Sequence, residues 1–470
     1  MARHLRGTAG IALLALALAW PAIGETPAKA NLWLPRAPTP EAAGFSSEGL
    51  ETLDRDIRTQ VAAGFPGATL AIVHDGQLVT VRAYGYAQRN DERGPMPTPD
   101  PMRVDTVFDL ASNTKMYATI YALQKLVSEG KLDVDAPVSR YLPEFADVAD
   151  DPGRAQIRVA DLLRHSAGFA ADVRFQSPDA GDGRYYSHDR ARTERLLPRL
   201  PRQYVAGTRN LYSDTDFMLA GMIVERISGQ RLDRFVDQAF YRPLGLRRTG
   251  FALLRSGRLQ RTDFAATELH GNTRDGAVTF PGIRSHTLRG EVHDEKAYYA
   301  MDQISGHAGL FSSAEELADL LSLMLDDGRR GNLRFFDADT IARFTAVAGP
   351  DPSYGLGWRL NRSPDVGWMF GHCAPAEAYG HTGWTGTFTL VDPRRRLGIV
   401  LLTNKKNTPV ADPAKDGNRF VGDGFPIARY GTIVDRIYAS LLQDRPAGCN
   451  TAPVADVAAA TATATAEARH

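Results

Sequence analysis

The stretch Thr106-Val-Phe-Asp-Leu-Ala-Ser-Asn-Thr-Lys-Met116 decides how the chain is read, because it sets Ser112 and Lys115 three residues apart at the start of a helical pattern. Residues i and i+3 share a helix face, with Cβ atoms about 5–6 Å apart, so a hydroxyl and an amine there can share a hydrogen bond. Serine needs such a base, and lysine serves when its surroundings bring its pKa towards neutrality. Met116, Ile120, Leu123, Leu126 and Val127 follow at helical spacing. They mark a buried helix with Ser112 at its N-terminus, where free N–H groups favour developing negative charge. The pattern recurs as Ser128-Glu-Gly-Lys131, but Gly130 is a helix stop, so that pair straddles a C-cap and shares no face.

Outward from this stretch, both ends of the chain read as strands and amphipathic helices. Ser47–Ala62 carries Leu50, Leu53, Ile57 and Val61 at helical spacing, and the apolar runs 67–73 and 77–83 flank His74-Asp75-Gly76, a hairpin signal. The far end repeats this with strands 387–391 and 397–402 around the turn 392–396, then a helix striped by Tyr430, Ile433, Val434, Ile437, Tyr438 and Leu441. Helical patterns fill the middle, including 160–163, 216–227, 232–240 and 314–325, while 171–196 is polar, without periodicity, and reads as a surface loop or lid. The expected fold is α+β, an antiparallel sheet built from both chain ends and flanked by helices, with an inserted all-helical domain. The expected divisions are a signal peptide over 1–30, a sheet domain over 31–110 plus 358–445, a helical domain over 111–357 and a disordered tail over 446–470.

The 470 residues are 43% hydrophobic with zero formal net charge, enough for a large core and without the basic excess that nucleic acid or an anionic membrane surface would select. The basic start Met1–Arg6, the apolar run Ile11–Trp20 and the small residues Ala22 and Gly24 read as a cleaved export signal, too short to span a membrane. The protein is therefore expected in the periplasm or secreted, or tethered to the inner membrane if the signal is retained. Cys373 and Cys449 are its two cysteines, and an oxidising compartment would permit a disulfide between them as readily as two buried thiols.

A Ser/Lys pair needs a second proton-transfer group and a donor for the oxyanion. Tyr212-Ser-Asp214 opens a helical pattern after Ala206-Gly-Thr208, and His381-Thr-Gly383 leads into the strand that starts at Trp384. In this order the three motifs resemble the serine β-lactamase and low-molecular-weight penicillin-binding protein superfamily, class C-like, on its D-alanyl-D-alanine carboxypeptidase side. Supporting segments are Gly130-Lys-Leu-Asp-Val-Asp-Ala-Pro137, Asp161-Leu-Leu-Arg-His-Ser-Ala-Gly168, Pro243-Leu-Gly245 and Gly306-His-Ala-Gly-Leu-Phe-Ser312, and the likeness runs from about Pro40 to Leu442. The resemblance implies Ser112 as acylated nucleophile, Lys115 as base and Tyr212 as proton relay, with the N–H groups of Ser112 and Trp384 as oxyanion hole. Asp214, His381, Thr382, Gly383 and Trp384 would line the substrate site. It implies no metal or cofactor, and a cell-wall peptide, β-lactam or ester as partner.

Two departures stand out. Asp214 occupies the place of an amide donor and can only accept when ionised, and it could pair with Lys115 and raise its pKa. His381 stands where the family has a lysine, so substrate-carboxylate attraction would be weaker and activity would follow pH near ~6.5. A class C-like β-lactamase, a carboxylesterase and a weakly catalytic binding module are the alternatives these leave open. His293-Asp-Glu295 with His307 is expected to form a polar network rather than a metal site, since consecutive extended side chains point apart. Asn404, Lys405 and Asn407 are expected to be solvated loop residues, His165 and Ser166 packing and capping groups, and Arg248-Thr-Gly250 a structural match.

Overall fold

The computed structural model describes residues 1, 32–149 and 151–449. The expected signal peptide and the tail beyond 449 lie outside the described residues. The described residues from Trp33 to Cys449 form one compact unit. Its centre is a seven-stranded sheet made of Gly67–His74 (β1), Gln77–Asp91 (β2), Gly94–Pro101 (β3), Arg359–Leu360 (β4), Tyr379–Gly383 (β5), Thr387–Asp392 (β6) and Leu397–Thr403 (β7). The order is β3-β2-β1-β7-β6-β5-β4, every pair antiparallel, so the N-terminal hairpin and the C-terminal hairpin meet at β1 and β7.

Alternation along β1 explains the layers. Leu70 and Ile72 enter one core with Leu50, Leu53 and Ile57 of Ser47–Ala62 (α1) and with Ile433, Val434 and Ile437 of Gly431–Ala439. Ala71 and Val73 enter the other core, which the middle of the chain fills. Truncating Ile57, which is fully buried, would cost about 2–5 kcal/mol in lost transfer energy and cavity. Ser46 caps α1 by accepting from Gly49 N at 3.2 Å.

Two elements escape the sequence patterns. Strand β3 holds Pro95, Pro97, Pro99 and Pro101, and it is tolerated because it lies on the sheet edge, where a missing donor leaves no ladder bond broken on the open side. Arg190–Leu196 is helical inside the expected loop, without an apolar stripe. Its support is polar: Asp189 Oδ1 accepts from Arg192 N at 2.7 Å, while Arg190 reaches Glu194 at 2.7 Å and Glu225 at 2.8 Å. Cys373 and Cys449 form a disulfide across 76 residues, and both are buried. Among the described residues no helix is long and apolar enough to cross a membrane.

Candidate active site

Ser112 lies in the 3-10 turn Ala111–Asn113, which passes into a π-helical segment, Lys115–Ile120, and then the α-helix Tyr121–Ser128 (α2). The turn is held from several sides. Ala111 has φ +45°, a left-handed conformation costing an L-residue roughly 1–2 kcal/mol. Asp109 Oδ1 secures it by accepting from Ala111 N at 2.8 Å. Thr387 Oγ1 of β6 donates to Leu110 O at 2.9 Å and accepts from Asn113 Nδ2 at 3.1 Å, which bolts the serine turn to the sheet. Gly383 fits this contact because a Cβ there would meet Leu110 O at 2.3 Å.

The Ser/Lys pair is formed. Lys115 is fully buried, and its Nζ lies 2.9 Å from Ser112 Oγ, 2.9 Å from Asp214 Oδ1 and 3.2 Å from His307 O. The second serine/lysine match is elsewhere: Ser128 bonds Thr340, Lys131 pairs with Glu129, and Gly130 takes φ +67° as the helix ends. Burial pushes Lys115 down, but Asp214 and Tyr212 together push it up by more, so its pKa is raised. Burial acts to raise Asp214, yet Lys115 and Lys296 hold it below its ordinary value. The pairing expected of Asp214 is thus present.

Tyr212 precedes the helix Asp214–Ser228 (α3), whose N-cap position is Ser213; the Ser213 hydroxyl donates to Ala170 O at 2.6 Å. The Tyr212 ring centroid is 4.9 Å from Lys115 Nζ and 4.3 Å from the His165 ring centroid. His165 Nδ1 also accepts from Ser213 N at 3.1 Å, so this buried histidine positions the motif, as its packing role predicts. Burial lowers its pKa well below the usual range and keeps it neutral.

His381 corrects one expectation. It is buried, its Nδ1 donates to Thr382 O at 2.7 Å, and burial with the Lys115 charge pushes its pKa down to about 3. A neutral imidazole throughout the physiological range cannot make activity follow pH near 6.5, because desolvation outweighs the ordinary histidine titration.

Ser112, Tyr212 and Trp384 border two clefts. One, of about 420 Å³, is lined by charged groups, among them Asp172, Arg274, Asp294, Glu295 and Lys296. The other, of about 300 Å³, is lined by Val366, Trp368, Met369, Arg359, His381 and Thr382. Trp384 is 38% exposed between them. The loop that begins at Ala171 supplies Asp172, Arg174 and Gln176 to the charged cleft, so it forms a wall of the site.

Two cations here went unread in the sequence. Arg359, on β4, donates to Tyr354 Oη at 2.5 Å and Ser353 Oγ at 3.0 Å, its Nε is buried with no partner, and it makes no ion pair among the described residues. Lys296 lies 3.2 Å from Asp214 Oδ2, 2.8 Å from Asp172 Oδ1 and 3.5 Å from Asp294 Oδ2. Lys296 directly follows His293-Asp-Glu295, but its place in the sequence does not show these distant partners. In that run His293 bonds Glu268 at 3.0 Å, Glu295 pairs with Arg274 at 2.8 Å, and Asp294 meets His307 Nε2 at 2.9 Å. Asp214, Asp294 and His307 bring their ligand-type atoms within 4.8 Å of one another, and the cation beside the two carboxylates is the Lys296 ammonium.

The remaining sequence candidates have structural partners. Asn404 Nδ2 donates to Tyr86 O and Ala87 O, Asn407 Oδ1 accepts from Arg89 N and Asn90 N, and Lys405 pairs with Asp423. Asn404 and Asn407 are buried, not solvated, because the loop after β7 must satisfy the backbone at the end of β2, and Lys405 is half-buried. Thr249 donates to Glu316 Oε2 at 2.7 Å and is structural, although Gly250–Phe251 does form a short strand.

Comparison with known proteins agrees with this geometry. The β-lactamase family model matches residues 53–423. An N-acetylmuramyl-L-alanine amidase of Bacillus subtilis (strain 168) is 48% identical over 413 residues, 87% of this chain and 93% of that protein. A protein of Escherichia coli (strain K12) that bears the provisional name D-alanyl-D-alanine carboxypeptidase is 47% identical over 407 residues, 86% and 93% of the two chains. In fold, a penicillin-binding protein homologue from Caulobacter crescentus superposes with a TM-score of 0.61 at 23% identity, covering 85% of this chain and 99% of its own. A family VIII carboxylesterase superposes with a TM-score of 0.59 at 21% identity, covering 85% and 99%. With its antiparallel sheet, its serine-lysine turn and a match across most of its length, the chain belongs to the β-lactamase family of serine hydrolases.

Proposed function

We propose that the chain is an exported serine hydrolase that cleaves the D-alanyl-D-alanine end of cell-wall peptides through a Ser112 acyl-enzyme. The observation that carries the reading is the 2.9 Å contact between Ser112 Oγ and a fully buried Lys115 at the junction of two clefts. Neutral Lys115 takes the hydroxyl proton as Oγ bonds to the substrate carbonyl carbon. The N–H groups of Ser112 and Trp384 receive the oxyanion. Tyr212 gives its hydroxyl proton to the departing nitrogen and takes one from Lys115; water then attacks the ester and releases the serine.

Arg359 supports a leaving group with a free carboxylate. It is a guanidinium without an acid partner among the described residues, in the cleft that also holds Thr382, and it supplies the fixed charge that His381 lacks. Export accords with the Cys373–Cys449 disulfide and with the leader-like N-terminus.

The muramyl-alanine amidase at 48% identity favours a second reading, in which the same serine accepts a muramyl acyl group and releases alanine. Product analysis separates the two. Purified mature protein incubated with a pentapeptide ending in D-Ala-D-Ala and with N-acetylmuramyl-L-alanine should release D-alanine from the first. Alanine release from the second alone would replace the carboxypeptidase reading with the amidase one. Turnover of neither, with Ser112-dependent clearance of penicillin or a simple ester, would point to the β-lactamase or esterase alternative.

A further inference from the structure

Asp214 presents one oxygen to each of two lysines. Oδ1 is 2.9 Å from Lys115 Nζ and Oδ2 is 3.2 Å from Lys296 Nζ. Lys296 comes from a different part of the chain, the π-helical turn Lys296–Ala300, yet that turn is fixed to the nucleophile. Asp109, three residues before Ser112, uses Oδ1 to hold Ala111 N and Oδ2 to accept from His293 N at 2.6 Å. Asp294 Oδ1 then accepts from Ala297 N at 2.8 Å and starts the turn. One carboxylate therefore sets the spacing between the serine turn and the second lysine.

The charges around Lys115 make this spacing consequential. From α3 and the residues before it come Tyr212, Asp214 and Asp216; from β5, His381; from the loop around Gly168, His165; and from the segment 294–307, Asp294, Lys296 and His307, with Asp172 beyond. Burial raises Asp216 well above the ordinary carboxylate range, and it lowers His165 and His381, so the two imidazoles are uncharged near neutral pH. Linked at ion-pair distance are two lysines, Lys115 and Lys296, and three acidic side chains, Asp214, Asp172 and Asp294. A single carboxylate bound only to Lys115 would hold its proton; the same carboxylate shared with a second ammonium holds it less tightly.

We infer that Lys296 is a positioning residue for the base: by holding Oδ2 of Asp214 it draws that carboxylate's charge away from Lys115, which lowers the pH at which Lys115 can take up the Ser112 proton. The inference rests on Ser112 being acylated, not on which peptide is cleaved. A small ester, p-nitrophenyl acetate, therefore serves as the probe, with kcat/KM for Ser112-dependent hydrolysis measured from pH 5 to 10. Lys296→Met should move the rising limb at least one unit to higher pH, a loss of about tenfold at a pH on the limb, while Lys296→Arg returns it towards the native position. Asp294→Asn, which frees Lys296 from a competing carboxylate, should move the limb to lower pH, and it decides the matter if Lys296→Met does not fold. A folded Lys296→Met whose rate falls equally at every pH, or an Asp294→Asn limb that stays in place, overturns the inference and leaves the acyl-enzyme reading intact. Ester hydrolysis that survives in Ser112→Ala would overturn both.

Discussion

The two clefts that meet at Ser112 treat charge in opposite ways. In the larger one the cations have acids within reach, Lys296 with three and Arg274 with Glu268 and Glu295, so the wall is internally neutralised and rigid. In the smaller one Arg359 meets two hydroxyls and the Tyr354 ring, and no acid among the described residues, amid Trp368, Met369 and Val366. A paired cation holds protein groups in place. An unpaired cation in an apolar cleft retains its attraction for an incoming anion. On the proposed reading, the charged cleft tunes the base and the sparsely charged cleft recognises the substrate.

Ser112, Tyr212 and Trp384 border both clefts, and Ser112 carries the largest expected effect. Ser112→Ala should reduce turnover of ester and peptide alike by at least about 10⁴-fold, as loss of an acylated nucleophile does elsewhere; mass spectrometry after incubation with penicillin should show the acyl adduct on the native chain and none on the variant. Retained turnover would mean that the two clefts do not meet at the reacting atom. Arg359→Gln tests the recognising side. Losing a charge-assisted hydrogen bond worth about 1.5–3 kcal/mol should lower kcat/KM for a carboxylate-terminated peptide about 10–100-fold, yet leave p-nitrophenyl acetate within about twofold. Equal losses on both substrates would make Arg359 a packing residue.

The tuning side is tested by Asp214→Asn. Asp214 raises the pKa of Lys115, and the base acts only when deprotonated, so removing the carboxylate should shift the rising limb of kcat/KM to lower pH and speed amide cleavage at pH 7. A limb that stays put would release Asp214 from that role. The smallest effect concerns stability. His381 has a folded pKa of about 3 against an ordinary 6.5, so between those values the unfolded chain binds a proton that the folded chain refuses. Stability should fall as pH drops through this window, by up to about 1.4 kcal/mol per pH unit. His381→Asn should flatten that part of a plot of melting temperature against pH, and an unchanged slope would show that other groups dominate.

How far the sequence reached follows from what kind of contact made each feature. Ser112 and Lys115 are three residues apart, so local helix geometry announces them, and Ser47–Ala62 is announced by its apolar stripe. Tyr212 and His381 needed the order of motifs, since no local rule connects residues so distant. Lys296 and Arg359 were illegible because their meaning lies in the presence or absence of partners far along the chain: Lys296 meets Asp172 and Asp214, and Arg359 meets no acid among the described residues. The neutrality of His381 required its burial to be known. Strand β3 hid behind its prolines and Arg190–Leu196 behind its polarity, because tertiary position overrode propensity in both.

Those prolines have a consequence beyond the fold. Four of the eight residues of β3 carry no N–H, and at the opposite margin β4 is only two residues long. A strand from another molecule approaching either margin would find too few donors or too little length to zip onto. The sheet is thereby closed to growth by addition, a built-in resistance to fibrillar self-association that works without charge and is indifferent to salt.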